Sequence, residues 1–197
     1  MQNKKVSDFF YKNLRANPQK KFLTIEDKSY NYYESNIKIK NISKTLRKIK
    51  CKNIISITRS NFVFFNILIS VSELNLAFSP LSNLIKPIFL MNILKQKIFD
   101  CLLIDKSIYQ SFDKETKNLI ESKIENILLI QNNGNIQIFK KNYSRIKKNK
   151  FFLMCFTSGS TGDPKSILLS QQTKILRAKC VIDLYNLHIK EKILITT

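Results

Sequence analysis

The chain has 197 residues, 44% of them apolar, with 34 basic against 14 acidic side chains and a formal net charge of +20. That length suits one sizeable core or a piece of a larger protein, and the recurrence of Ile, Leu and Phe in every stretch excludes a disordered chain. The charge alone fits nucleic acid or an anionic membrane, but the lysines are scattered and no basic stripe alternates with aromatics, so a Lys-, Asn- and Ile-rich background accounts for it better.

Cys51, Cys101, Cys155 and Cys180 form no C-x-x-C pair, and His188, the one histidine, leaves a zinc set incomplete. Reduced thiols in the cytoplasm are the expectation. The start Met1–Asp8 carries no apolar signal core, and the stretch Phe62–Val71, broken by Asn66 and Ser70, is too short to span a membrane.

In chain order, a first helix is expected with Ser7 or Asp8 as N-cap and Phe10 and Leu14 on one face. Phe22–Ile25 and Tyr30–Tyr32 read as a hairpin across the polar turn Glu26–Ser29, and a second helix follows with Ile42, Leu46 and Ile49 on its buried stripe. Ile54–Thr58 has the length and branching of a buried strand, and Asn61 to Leu76 that of an apolar helix. Alternation continues with a strand at Ala77–Ser79 ending at Pro80, a helix from Ile88 to Lys97, a strand at Cys101–Ile104, a helix from Lys114 to Ile124 and a strand at Ile127–Ile130. Such alternation predicts an α/β fold with a mainly parallel sheet and helices on its faces. Asn132–Asn135 marks a hairpin turn, and the lysine-rich stretch from Lys140 to Lys150 reads as a solvated connection rather than a nucleic-acid patch. No Pro-, Gly- or Ser-rich linker divides the chain.

The apolar run Phe151–Phe156 predicts a strand leading into Thr157-Ser158-Gly159-Ser160-Thr161-Gly162-Asp163-Pro164-Lys165, where two of the protein's three glycines lie four residues apart or closer. Glycine lets backbone amides approach a phosphate, hydroxyls donate to its oxygens, and the lysine ammonium offsets its charge. The spacing is not that of a Walker A loop, since Pro164 stands where that motif needs its second glycine. Ser166–Ser170 reads as a second strand, so the loop joins two strands and phosphate affinity must come from loop amides, hydroxyls and Lys165 rather than from a helix N-terminus. A further helix is expected from Gln171 to Leu187, with His188 and Tyr185 near its end as packing or surface residues.

Thr-Ser-Gly-Ser-Thr-Gly-x-Pro-Lys after an apolar strand resembles the signature of the adenylate-forming ANL superfamily: acyl- and aryl-CoA synthetases, peptide-synthetase adenylation domains and luciferases. The rest of the chain resembles the N-terminal part of these enzymes more loosely, through Tyr30–Glu34, Ile54–Thr58, the helix from Asn61 and Leu76–Leu81. One departure is Ser166, where the family usually has glycine.

The resemblance implies ATP-dependent activation of a carboxylic acid as an acyl-adenylate, then transfer to coenzyme A or phosphopantetheine. It assigns the ATP β- and γ-phosphates to Thr157, Ser158, Gly159, Ser160, Thr161, Gly162 and Lys165, with Mg²⁺ sharing the charge and Asp163 turned to solvent. By the same comparison, residues 1–197 are the N-terminal portion of the adenylate-forming domain. The rest of that domain, the lid domain and the catalytic lysine lie outside them. A fragment of an acyl-CoA synthetase is therefore expected, with the strand-like run Lys192–Thr197 presenting an edge for further sequence or a separate chain to cover. The competing reading is a non-catalytic interaction protein that binds an anionic polymer through its basic surface.

Overall fold

In the computed structural model, residues 4–131, 133–144, 146–147, 150–157 and 165–187 are described. Helix α1 (Val6–Ala16) packs on the hairpin β1 (Lys21–Ile25) and β2 (Lys28–Asn31), and α2 (Tyr32–Ile49) follows directly. The α1 start differs from the sequence expectation: Lys5 is the N-cap, and Asp8 sits at the third helical position, its carboxylate accepting from the Lys5 amide at 2.7 Å. Tyr32 likewise opens α2 instead of closing the hairpin, because Asn31 and Glu34 form a reciprocal cap with bonds of 2.8 and 2.9 Å.

The remaining elements are β3 (Asn53–Ile57), α3 (Asn61–Glu73), β4 (Ala77–Leu81), α4 (Pro87–Lys95), β5 (Cys101–Asp105), α5 (Lys106–Ser111), α6 (Lys114–Lys123), β6 (Asn126–Ile130), β7 (Ile136–Lys141), β8 (Leu153–Thr157), β9 (Lys165–Leu169) and α7 (Gln171–Leu184). Seven strands form one sheet in the order β7-β6-β5-β3-β4-β8-β9. Pairing is parallel from β6 through β8, and antiparallel at both rims, where β7 and β9 return by hairpins. The α/β fold with a mainly parallel sheet is thus the one the alternation of elements predicts.

Strands buried on both faces explain the unbroken apolar runs. Ile54, Cys101, Leu103, Leu128 and Ile130 face a core shared with α2 and α3 residues such as Leu46, Ile67 and Val71. Ile55, Ile57, Leu102, Ile104, Ile127 and Leu129 face the other core, filled by α4 and α6 through Leu90, Ile93 and Ile120. Beneath these layers Asp100, fully buried, accepts from the amides of Lys52 and Asn53 and so pins the start of β3 beside that of β5.

Three further expectations are corrected and one element is added. Lys140 and Lys141 belong to β7, and the connection after it is partly docked, with the Lys52 ammonium on the Ile146 carbonyl at 2.8 Å and the Asn53 amide on that of Lys147 at 2.9 Å. Helix α5 was not foreseen; with 6 residues it is too short for a periodic signal. Strand β8 begins at Leu153, two residues later than the apolar run. Pro80, expected to end its strand, lies inside β4, opposite Ser56 of β3. No helix among the described residues is long and apolar enough to cross a membrane.

Candidate functional site

Strands β8 and β9 run antiparallel in unbroken register, from Leu153 opposite Leu169 to Thr157 opposite Lys165. Directly opposed residues of an antiparallel pair project from the same face. Thr157 and Lys165 therefore flank the chain reversal side by side, on the face that carries Leu153, Cys155 and Leu169 toward α1–α3. Both are exposed, and the Thr157 hydroxyl donates to the Lys165 carbonyl at 3.4 Å. One exposed hydroxyl, whose long bond to that carbonyl would have to be exchanged for one to an anion, and one cation thus stand at the end of the β8–β9 ladder.

Ser158, Gly159, Ser160, Thr161, Gly162, Asp163 and Pro164 lie outside the described residues, as do His188 and the run Lys192–Thr197. Ser166, in place of the usual glycine, pairs with Phe156 without any shift of register, so β9 leaves the reversal as a regular strand. Helix α7 begins only after β9, with Ser170 as its N-cap, which leaves the reversal joined to strands on both sides.

Two positioning features were not singled out from the sequence. Phe78 donates its amide to the Phe152 carbonyl at 2.9 Å, and the two-residue step of a parallel ladder would make Pro80 the next donor. Proline has no N–H, and the buried Ser79 hydroxyl donates to the Met154 carbonyl instead, at 2.9 Å. The signal was a serine immediately before proline in an apolar strand. Gln171, also buried, accepts from the Val6 amide at 2.9 Å and the Ser72 hydroxyl at 2.6 Å, fixing the chain just beyond β9 to α1 and α3.

The sequence profile described as "AMP-binding enzyme" matches residues 10–194. The chain belongs to the AMP-binding enzyme family. Solved structures of the same fold include an anthranilate CoA ligase, AuaEII, in complex with anthranoyl-AMP, with a TM-score of 0.70 and 16% identity over 89% of this chain and 35% of that one. The o-succinylbenzoate CoA synthetase MenE of Bacillus subtilis matches with a TM-score of 0.70 and 14% identity, over 93% of this chain and 37% of that one. Apo MatB from Rhodopseudomonas palustris gives 0.69 and 12% over 91% and 38%. No curated protein sequence matches the chain. At such identities the structural likeness establishes the fold, that of the N-terminal domain of ANL adenylate-forming enzymes. The chain spans 35% to 38% of the length of these three structures.

Within this family frame, the β8–β9 reversal is the candidate nucleotide site. A hydroxyl and an ammonium suit phosphate oxygens, but they are not a Mg²⁺ donor set, which needs carboxylate or other oxygen ligands. No described residue is therefore assigned to a metal.

Proposed function

We propose that residues 1–197 are the N-terminal portion of an adenylate-forming domain, and that they hold the phosphates of ATP during activation of a carboxylic acid. The observation that carries the reading is the pairing of Thr157 with Lys165 across a reversal containing Ser158, Gly159, Ser160, Thr161 and Gly162. In this reading the hydroxyls and loop amides grip the β- and γ-phosphates while Lys165 offsets charge on the departing pyrophosphate. A carboxylate oxygen attacks the α-phosphorus, the bond from that phosphorus to the bridging oxygen of pyrophosphate breaks, and an acyl-adenylate forms. Coenzyme A or phosphopantetheine then takes the acyl group as a thioester, releasing AMP. Mg²⁺ would arrive bound to the triphosphate and lower its charge.

Acyl-CoA synthetase chemistry in the cytoplasm is the preferred form of this reaction, supported by the CoA ligases among the structures of the same fold. Free thiols at Cys51, Cys101, Cys155 and Cys180 accord with a reducing compartment. With the chain spanning about half or less of such enzymes, weak ATP binding without complete turnover is expected of it alone.

Calorimetric titration of the 197-residue chain with ATP·Mg²⁺ tests the reading. Lys165→Ala should weaken binding roughly tenfold or more, the scale of a lost charge-assisted hydrogen bond, with an unchanged circular dichroism spectrum. Equal affinity of wild type and variant would refute the assignment, and rapid ATP-dependent adenylate formation would refute the fragment reading. Tight binding of DNA or RNA with a steep salt dependence, and none of ATP, would favour the anionic-polymer alternative.

A further inference from the structure

A cavity of about 350 Å³ lies between α2, the start of α3 and the β6–β7 turn, lined by Lys28, Tyr30, Lys38, Ser60, Phe62 and Asn66 among others. We propose that it binds a small ring-bearing organic anion, through its carboxylate or phosphate, independently of the β8–β9 reversal. Its volume falls in the range of small-molecule pockets.

Asn66 supplies the first argument. Its side chain is 1% exposed, and neither its amide nitrogen nor its amide oxygen has a hydrogen-bond partner among the described residues. Native folds leave few such atoms unmet, and Asn66 is one of the residues lining a cavity large enough for a ligand. Charge supplies the second. Lys38 donates to the Asn133 carbonyl at 3.1 Å and to Asn135 Oδ1 at 3.3 Å, which leaves one of an ammonium's three donors to point elsewhere. Lys28 stands at the same wall with its ammonium over the Tyr30 ring, and no acidic side chain is among the described lining residues. The cavity also opens at the positive end of α3, whose N-cap is Ser60. Shape supplies the third. Tyr30 and Phe62 stack with ring centroids 3.7 Å apart and planes within 12°, and with Lys28 over Tyr30 the pair offers a ligand ring its edges, the T-shaped packing that aromatic rings favour.

The β8–β9 reversal is a separate place. Four strand spacings separate β6 from β8, about 19 Å at the usual interstrand distance, so one small molecule does not occupy both.

Benzoate and phenyl phosphate are suitable probes, titrated into the ¹⁵N-labelled full chain and followed by nuclear magnetic resonance. The expected result is saturable movement of the Asn66 side-chain amide and of the Ser60 and Lys38 backbone signals by at least one of the two, the stronger identifying the preferred acidic group. Asn66→Leu, near-isosteric and free of the unmet amide, should fold and bind about tenfold more weakly or worse, as should the surface variant Lys38→Ala, while Lys165→Ala binds as wild type does. The proposal is overturned if neither anion moves these signals at about 10 mM, a concentration that would reveal even weak binding. It is also overturned if Asn66→Leu binds as well as wild type, or if Lys165→Ala abolishes the response.

Discussion

Met154 lies three residues before the end of β8, and its carbonyl is held by a side chain rather than by the neighbouring strand's backbone. The arrangement places a hydroxyl where proline removes a donor, at the junction between β4 and the strand that presents Thr157. It implies a coupled pair of effects. Ser79→Ala should lower stability by about 1–2 kcal/mol, since it leaves a carbonyl unmet beside a buried strand. Pro80→Ala restores a backbone N–H at the position where the ladder needs one, so Ser79→Ala should cost about 1 kcal/mol less in that background than alone. Urea denaturation of the four proteins of this cycle measures the coupling, and strictly additive costs would show that Met154 does not depend on the Ser79 hydroxyl. At the same scale, Thr157 and Lys165 stand out in the sequence because hydroxyl, glycine and lysine types cluster there, and the structure pairs the two across the reversal. Ser79 and Gln171 do not, because each acts through a partner distant in sequence, Met154 for one and Val6 and Ser72 for the other.

Elements were most legible where burial is one-sided or complete. The buried stripe of Ile42, Leu46 and Ile49 along α2, and the apolar runs of β3, β5 and β6, follow from period and length alone. Boundaries failed where local capping competes with the apolar pattern. Asn31 and Glu34 turn Tyr32 into a helical residue, and β7 is hard to see because it alternates exposed and half-buried positions at a rim. Helix α6 began where expected because Asp113 is a capping residue before a helical run, and its carboxylate accepts from the Thr116 amide at 2.6 Å. Those bonds hold the Asp113 carboxyl below the usual aspartate range. A depressed folded-state value means that the cap's contribution is complete above the unfolded value, about 3.9, and is lost as pH falls through the folded one. Asn caps equally well without titrating. The stability difference between wild type and Asp113→Asn should therefore shift against wild type as pH falls from about 5 toward 2, across that unfolded value. Chemical denaturation at several pH values checks this, and a constant difference across that range would rule out the cap as its source.

On the scale of the whole molecule, the net charge of +20 is met by one ion pair among the described residues, Arg47 with Glu73 at 2.7 Å. Folding gathers these like charges into a smaller volume, so self-repulsion opposes the compact state. Raising NaCl from about 0.02 to about 0.3 M shortens the screening length from roughly 20 Å to about 6 Å, less than the distance between most surface lysines. The melting temperature should then rise by about 2–4 °C, the response of a chain this long to a gain near 1 kcal/mol. A nonionic osmolyte raised over the same range serves as control for preferential exclusion, and an unchanged or falling melting temperature in salt would show that the charges are already balanced by the fold. ATP affinity gives the opposite sign in the same titration. Lys165 is exposed, so screening weakens its attraction for phosphate while it relieves repulsion elsewhere. A chain that becomes more stable yet binds ATP less well as salt rises would separate the diffuse charge of the surface from the local charge of the β8–β9 reversal.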